Sequence, residues 1–223
     1  MNLAAKTRLA LASAALGLGC ASASAANLIV NGSFEDPVIG APFYSAVTPT
    51  GWAKGGSAGD ASIWRVGYDE GGGNNVTVAG EGMQFVTMGG GYLATGTTTW
   101  SQTVSGLSGG STYQLDFKIA GEGVCCGTQS VLVDFVGSST AGQTFTATPA
   151  SANYWKSWSD QSMLFVAGGS SVTVQFTYTG RYDMGLDDVR LAAAVPEPAT
   201  YALLFAGLGL VGWVARRRQT PAT

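Results

Sequence analysis

The chain has 223 residues, 46% hydrophobic and only 11% charged, with 33 glycines and no histidine. Without histidine, Ser-His-Asp and Cys-His nucleophile systems and His-ligated metal centres are excluded. The formal charge of −3 conceals an acidic centre: residues 26–195 hold six Lys or Arg against thirteen Asp or Glu, a net of −7. That balance argues against nucleic acids and anionic polymers as partners and leaves neutral sugars and cations.

The chain opens with Lys6 and Arg8, an apolar core from Leu9 to Leu18, and the small-residue run Ala21-Ser22-Ala23-Ser24-Ala25. This is the layout of a secretory signal peptide over residues 1–25, cut before Ala26. Cys20 also admits lipoprotein processing, although Gly17 stands where that motif has Leu. Signal-peptide removal would take Cys20 with it.

Residues 26–194 suffice for one domain with its own core. Tyr113, Leu115, Phe117 and Ile119 alternate with Gln114, Asp116 and Lys118, and Val172, Val174, Phe176 and Tyr178 alternate with Thr173, Gln175 and Thr177. That is the period-2 signature of half-buried strands. Weaker stretches of the same kind run over 63–68, 83–88, 98–104, 131–136, 143–147, 163–166 and 186–191, separated by glycine pairs and triplets. No part of the body keeps a helical period over three turns, so the expected fold is all-β, an antiparallel β-sandwich. Cys125 and Cys126 are adjacent, which leaves a strained vicinal disulfide, an intermolecular bridge and two roleless loop thiols all open. Zinc would need more ligands at wider spacing.

Asn27-Leu28-Ile29-Val30-Asn31-Gly32-Ser33-Phe34-Glu35, Gly51-Trp52, Trp100-Ser101-Gln102-Thr103-Val104 with Tyr113-Gln114-Leu115-Asp116-Phe117, and Leu186-Asp187-Asp188-Val189 together resemble the galactose-binding-like jelly-roll domains. Many carbohydrate-binding modules share that frame. The resemblance spans residues 27–191 and implies a jelly roll, which does not by itself carry a function. It also implies a structural Ca²⁺ tying the two ends of the body together, with Glu35 and Asp187 as ligands and Asn31, Ser33 and Asp188 as further oxygen donors. Alternation puts Asp187 in parity with Val189 and Leu191, pointing inward, where its carboxylate needs a metal, an Arg such as Arg190 or Arg181, or backbone N–H groups.

Sugar binding draws on aromatic platforms beside amides and carboxylates. The candidates are Trp64, Tyr68, Trp155 and Tyr182, with Asn74, Asn75 and Asp183 as polar neighbours, while Trp52 and Trp158 are assigned to the core. Asp69-Glu70 and Asp187-Asp188 are sequence neighbours that face opposite ways along a strand, so neither makes the carboxylate pair of a glycosidase by itself. A hydrolase is therefore the lesser alternative to a non-enzymatic protein.

After Val195 come Pro196-Glu197-Pro198, 17 uncharged residues from Ala199 to Ala215, and Arg216-Arg217-Arg218. At ~1.5 Å per residue the apolar run reaches roughly 26 Å as a helix, near the lower limit for a bilayer core of ~30 Å. A transmembrane helix over 199–215 is expected, with 219–223 cytoplasmic and the body outside. The prolines keep its entry extended and accessible. Order and spacing of Pro196, Glu197 and Pro198, the apolar run, and Arg216, Arg217 and Arg218 resemble the PEP-CTERM sorting signal of exported bacterial proteins. That resemblance implies an exosortase, a membrane cysteine transpeptidase, as partner. It also implies transient anchoring in the inner membrane with the body in the periplasm, then delivery to the cell surface or extracellular matrix of a Gram-negative bacterium. The expected protein is a non-enzymatic surface or matrix component engaged with extracellular polysaccharide; a carbohydrate-binding module with a defined glycan site is the alternative.

Overall fold

The computed structural model describes residues 26–40, 44–57, 61–67, 77–90, 95–123, 126–149 and 155–194, and in the tail residues 205, 207–213 and 216. The signal peptide, Tyr68, Asp69-Glu70, Asn74, Asn75, Cys125, Pro196, Glu197, Pro198, Arg217 and Arg218 lie outside the described residues.

The body consists of strands β1 (Tyr44–Ser45), β2 (Ala53–Gly56), β3 (Ile63–Arg65), β4 (Gln84–Gly89), β5 (Gly96–Ser105), β6 (Thr112–Gly121), β7 (Gln129–Val136), β8 (Gln143–Ala147), β9 (Ser159–Val166), β10 (Ser171–Gly180) and β11 (Asp183–Ala193). They form two antiparallel sheets, one in the order β1-β3-β4-β11-β6-β9 and the other β2-β5-β10-β7-β8. The alternation read in the sequence is the burial pattern: on β6 Tyr113, Leu115, Phe117 and Ile119 face the core, and on β10 Val172, Val174, Phe176 and Tyr178 do. Trp100, Phe117, Phe135, Phe165 and Phe176 fill the space between the sheets with almost no exposed surface, each fully buried side chain contributing about 1.5–3 kcal/mol. Phe117 and Phe176 meet edge to face across that space, their centroids 5.2 Å apart, within the roughly 4.5–7 Å usual for aromatic pairs. The short strands β1 and β2 carry no alternation and exist through pairing with β3 and β5.

The opening motif is a strap over the sandwich edge. Asn31 Nδ2 donates to the carbonyls of Asp36 (2.6 Å) and Thr50 (3.1 Å), and its Oδ1 accepts from Asp36 N. Gly32 O receives Val189 N at 2.9 Å, and a Cβ on Gly32 would collide with the Val189 carbonyl. Phe34, with no exposed surface, packs on Trp52 at 5.0 Å. Trp52 is a core residue as expected, and its Nε1 donates to Asn31 O at 3.0 Å. In the tail, residues 207–213 are helical and exposed, and among the described residues no helix is long and apolar enough to cross a membrane.

Candidate functional site

The site is built on the solvent face of the six-stranded sheet, where a β-bulge changes the expected parity. Asp187 pairs with Lys118 but Arg190 pairs with Asp116, so Asp188 and Val189 both oppose Phe117. Asp188 takes φ 50°, and Val189 still points into the core. An extra residue of this kind flips the face of what precedes it. Asp187 therefore lies on the outer face with Gly185, not inward with Val189, and Asp188 turns outward beside it.

Although outward, Asp187 has no exposed surface, because the turn at residues 80–84 lies over it. Its Oδ2 accepts from Glu81 N and its Oδ1 from Asp188 N, both at 2.7 Å. Burial pushes the Asp187 carboxyl up to about 8 against the pull of those backbone N–H groups. Glu35 grips the same turn from the other side, its Oε1 accepting from Met83 N (2.5 Å) and Gln84 N (2.8 Å). Asp188 bonds Arg190 Nε at 2.6 Å and Lys118 Nζ at 3.2 Å. Burial would raise its carboxyl, but hydrogen bonds with Glu81 and Lys118 and the Arg190 charge outweigh that and hold it below the usual range.

The expected calcium donors thus meet N–H groups and cationic side chains. Asn31 is spent on the strap, Glu35 and Asp187 on the turn, Asp188 on Lys118 and Arg190, and Ser33 is half-buried in the strap. Among the described residues no group of three or more acidic or thiol side chains is placed to hold a metal. As arranged, this donor set does not fit a calcium cage.

Two of the expected sugar platforms are corrected as well. Trp64 and Trp155 are 7% and 1% exposed and belong to a small second core on the outer face with Phe85 and Ala120. Trp155 lies 4.9 Å from Trp64 and 5.4 Å from Phe85, leaving neither ring a solvent face. A Cβ on Gly185 would come 2.9 Å from Trp155 and 2.8 Å from Trp158, so the missing side chain is what admits the two rings. Trp158, assigned to the core from sequence, is instead half-exposed, its Nε1 donating to Val78 O at 2.8 Å. Tyr182 is half-buried at φ 69° with the Arg181 guanidinium 5.0 Å over its ring. It lines a separate cavity of about 400 Å³ with Cys126, Thr128 and Ser130.

Next to the aromatic lid, an open groove of about 460 Å³ runs across β6, β9 and β11. Register aligns its side chains in two cross-strand rows, Arg190-Asp116-Ser162 and Lys118-Asp160, the second of which continues to the covered Asp187 outside the groove, with Asp188 between them. Lys118 Nζ also donates to the carbonyl of Gly80, on which Trp158 packs, so the half-exposed indole stands beside one end of the groove. In the sequence, Asp116 and Lys118 were visible as outward positions, Arg190 as a possible partner of Asp187, and Asp160 lay outside the strand read over 163–166; their convergence depends on register that no local pattern encodes.

Residues 194–219 match the PEP-CTERM protein-sorting motif. The chain carries a PEP-CTERM sorting signal. No curated protein sequence matches the chain significantly. Among solved structures, the body is similar to the carbohydrate-binding module TmCBM61 in complex with β-1,4-galactotriose, at 16% identity and TM-score 0.51 over 76% of this chain and 99% of that one. It is also similar to the arabinose-bound α-L-arabinofuranosidase MgGH51, at 10% identity and TM-score 0.53 over 78% of this chain and 27% of that one. A third is the CBM22-1 xylan-binding domain of Xyn10C from Paenibacillus barcinonensis, at 13% identity and TM-score 0.45 over 77% and 97%. At these identities the likeness shows the fold, a β-sandwich jelly roll.

Proposed function

We propose that this is an exported, non-catalytic carbohydrate-binding protein, delivered through its PEP-CTERM signal to the cell surface or matrix, where it engages extracellular polysaccharide. The observation that carries the reading is the groove on the six-stranded sheet: carboxylates, an ammonium, a guanidinium and a hydroxyl in two register-aligned rows beside a half-exposed indole. Such groups supply the directional partners that sugar hydroxyls require, and an indole face suits sugar C–H groups. The similar module TmCBM61, which is in complex with β-1,4-galactotriose, supports the same class of ligand. Asp188, the most enclosed carboxylate of the groove, is held between two cations, which supports a binding role over a catalytic one.

Titration calorimetry of the secreted body against a panel of neutral polysaccharides tests this. Asp160 and Ser162 are exposed, so Asp160→Ala with Ser162→Ala should leave the melting temperature unchanged. Affinity should fall about tenfold, the loss expected when charged hydrogen bonds worth ~1.5 kcal/mol are removed. Binding indifferent to these substitutions, or no binding across the panel, would sink the reading.

A further inference from the structure

The tail leaves the sandwich at an end whose three hairpin connections contain no charged residue. β5 and β6 join through residues 106–111, β7 and β8 through 137–142, and β9 and β10 through 167–170, and all three hairpins project where β11 stops at Ala193. They are knit into one surface: Leu107 N donates to Ser170 O (3.1 Å), Gly110 N to Ala167 O (2.8 Å) and Ala194 N to Thr112 O (3.0 Å). Ser138 Oγ joins them by donating to Val166 O at 3.1 Å. Apart from the buried Leu107, the three connections consist of Gly, Ser, Thr and Ala. The opposite end of the acidic body carries Glu122, Lys156, Arg181 and Asp183.

The sorting motif begins at Ala194, the last described residue of the body, which is bonded to Thr112. At no more than ~3.6 Å per residue, Pro198 lies within about 14 Å of Ala194. An enzyme whose cleft takes in Pro196-Glu197-Pro198 therefore comes up against the three hairpins. We propose that this hairpin end is the docking face for the membrane-bound enzyme that processes the tail. Its small side chains permit close approach, and its hairpins present no carboxylate of their own to an anionic membrane surface within a Debye length of ~8–10 Å, the nearby Asp134 lying half-buried behind Gly142. The same placement turns the Tyr182 cavity away from the enzyme, at the far end of β11, about 35 Å off at ~3.3 Å per residue. The proposal rests on the tail being a processed sorting signal.

The full chain, produced alongside its processing enzyme, gives the test, with intact mass reporting tail removal over time. Ser108, Ser139 and Ser170 are exposed hairpin positions. The triple variant Ser108→Glu, Ser139→Glu, Ser170→Glu should be processed several-fold more slowly at an unchanged melting temperature, while Thr128→Glu at the opposite end behaves as wild type. A flexible Gly/Ser insertion of about eight residues between Ala194 and Val195 should restore the rate by separating the body from the motif. Processing of the triple variant at the wild-type rate, or no rescue by the insertion, would overturn the proposal. Slowing confined to anionic vesicles in a reconstituted system would reassign the face to lipid and overturn it as well. Wild-type chain that keeps its tail would instead overturn the sorting-signal reading, and the proposal with it.

Discussion

Each residue of Asn31-Gly32-Ser33-Phe34-Glu35 that makes a defined contact spends it inside the fold. Gly32 touches the main chain of β11 where a side chain has no room. Gly32→Ala should therefore lower stability by about 1–3 kcal/mol through overpacking, read as a drop in melting temperature; an unchanged value would show that the strap can shift. Asp187 makes a second prediction. An unfolded aspartate ionises near 3.8 and this one near 8, so between those values the folded chain holds a proton that the unfolded chain has released. The stability this group contributes is then greatest below pH ~4 and is lost as pH rises through 8, by about 6 kcal/mol at ~1.4 kcal/mol per unit. Glu122, also raised by burial, adds to this trend and Asp188, which is lowered, opposes it. Urea unfolding at pH 5 and pH 8 measures the slope. Asp187→Asn, which cannot ionise, should flatten it, and an equally steep mutant would place the effect elsewhere.

Among the elements, β11 decides most. Its bulge brings Asp187, Asp188 and Arg190 to one face, and Gly185 makes room there for two tryptophans. Trp155→Ala should cost about 3–5 kcal/mol by emptying part of that aromatic lid, while the sugar affinity of the folded protein stays near wild type. Loss of binding at unchanged stability would return Trp155 to the role of platform. The long strands were legible because alternation is a local property: residues 113–119 and 172–178 declare their faces without help from neighbours. The bulge was not, since an aspartate can adopt φ > 0 without any mark in the sequence. β1 and β2 were not legible either, because each depends on a partner strand. Trp64 and Trp155 read as exposed rings until the loop before β9 folded one onto the other.

For the whole molecule, the ends of the body are tied by hydrogen bonds. Leu28 N donates to Leu191 O at 2.7 Å, Val189 N to Gly32 O at 2.9 Å, and Leu191 N to Asn27 Oδ1 at 2.9 Å. Chelation is accordingly expected to leave the melting temperature where it was, and a drop in EDTA that Ca²⁺ reverses would put a cation at Glu35 or Asp187 after all. By itself the sequence determined the all-β class, the absence of histidine chemistry and the sorting signal, because composition, period and motif order are written in contiguous residues. The tertiary structure decided which groups meet. Asp187 and Glu81, or Asp116, Asp160 and Arg190, become neighbours only through strand register and one bulge, and that register is set by packing between segments far apart in the chain.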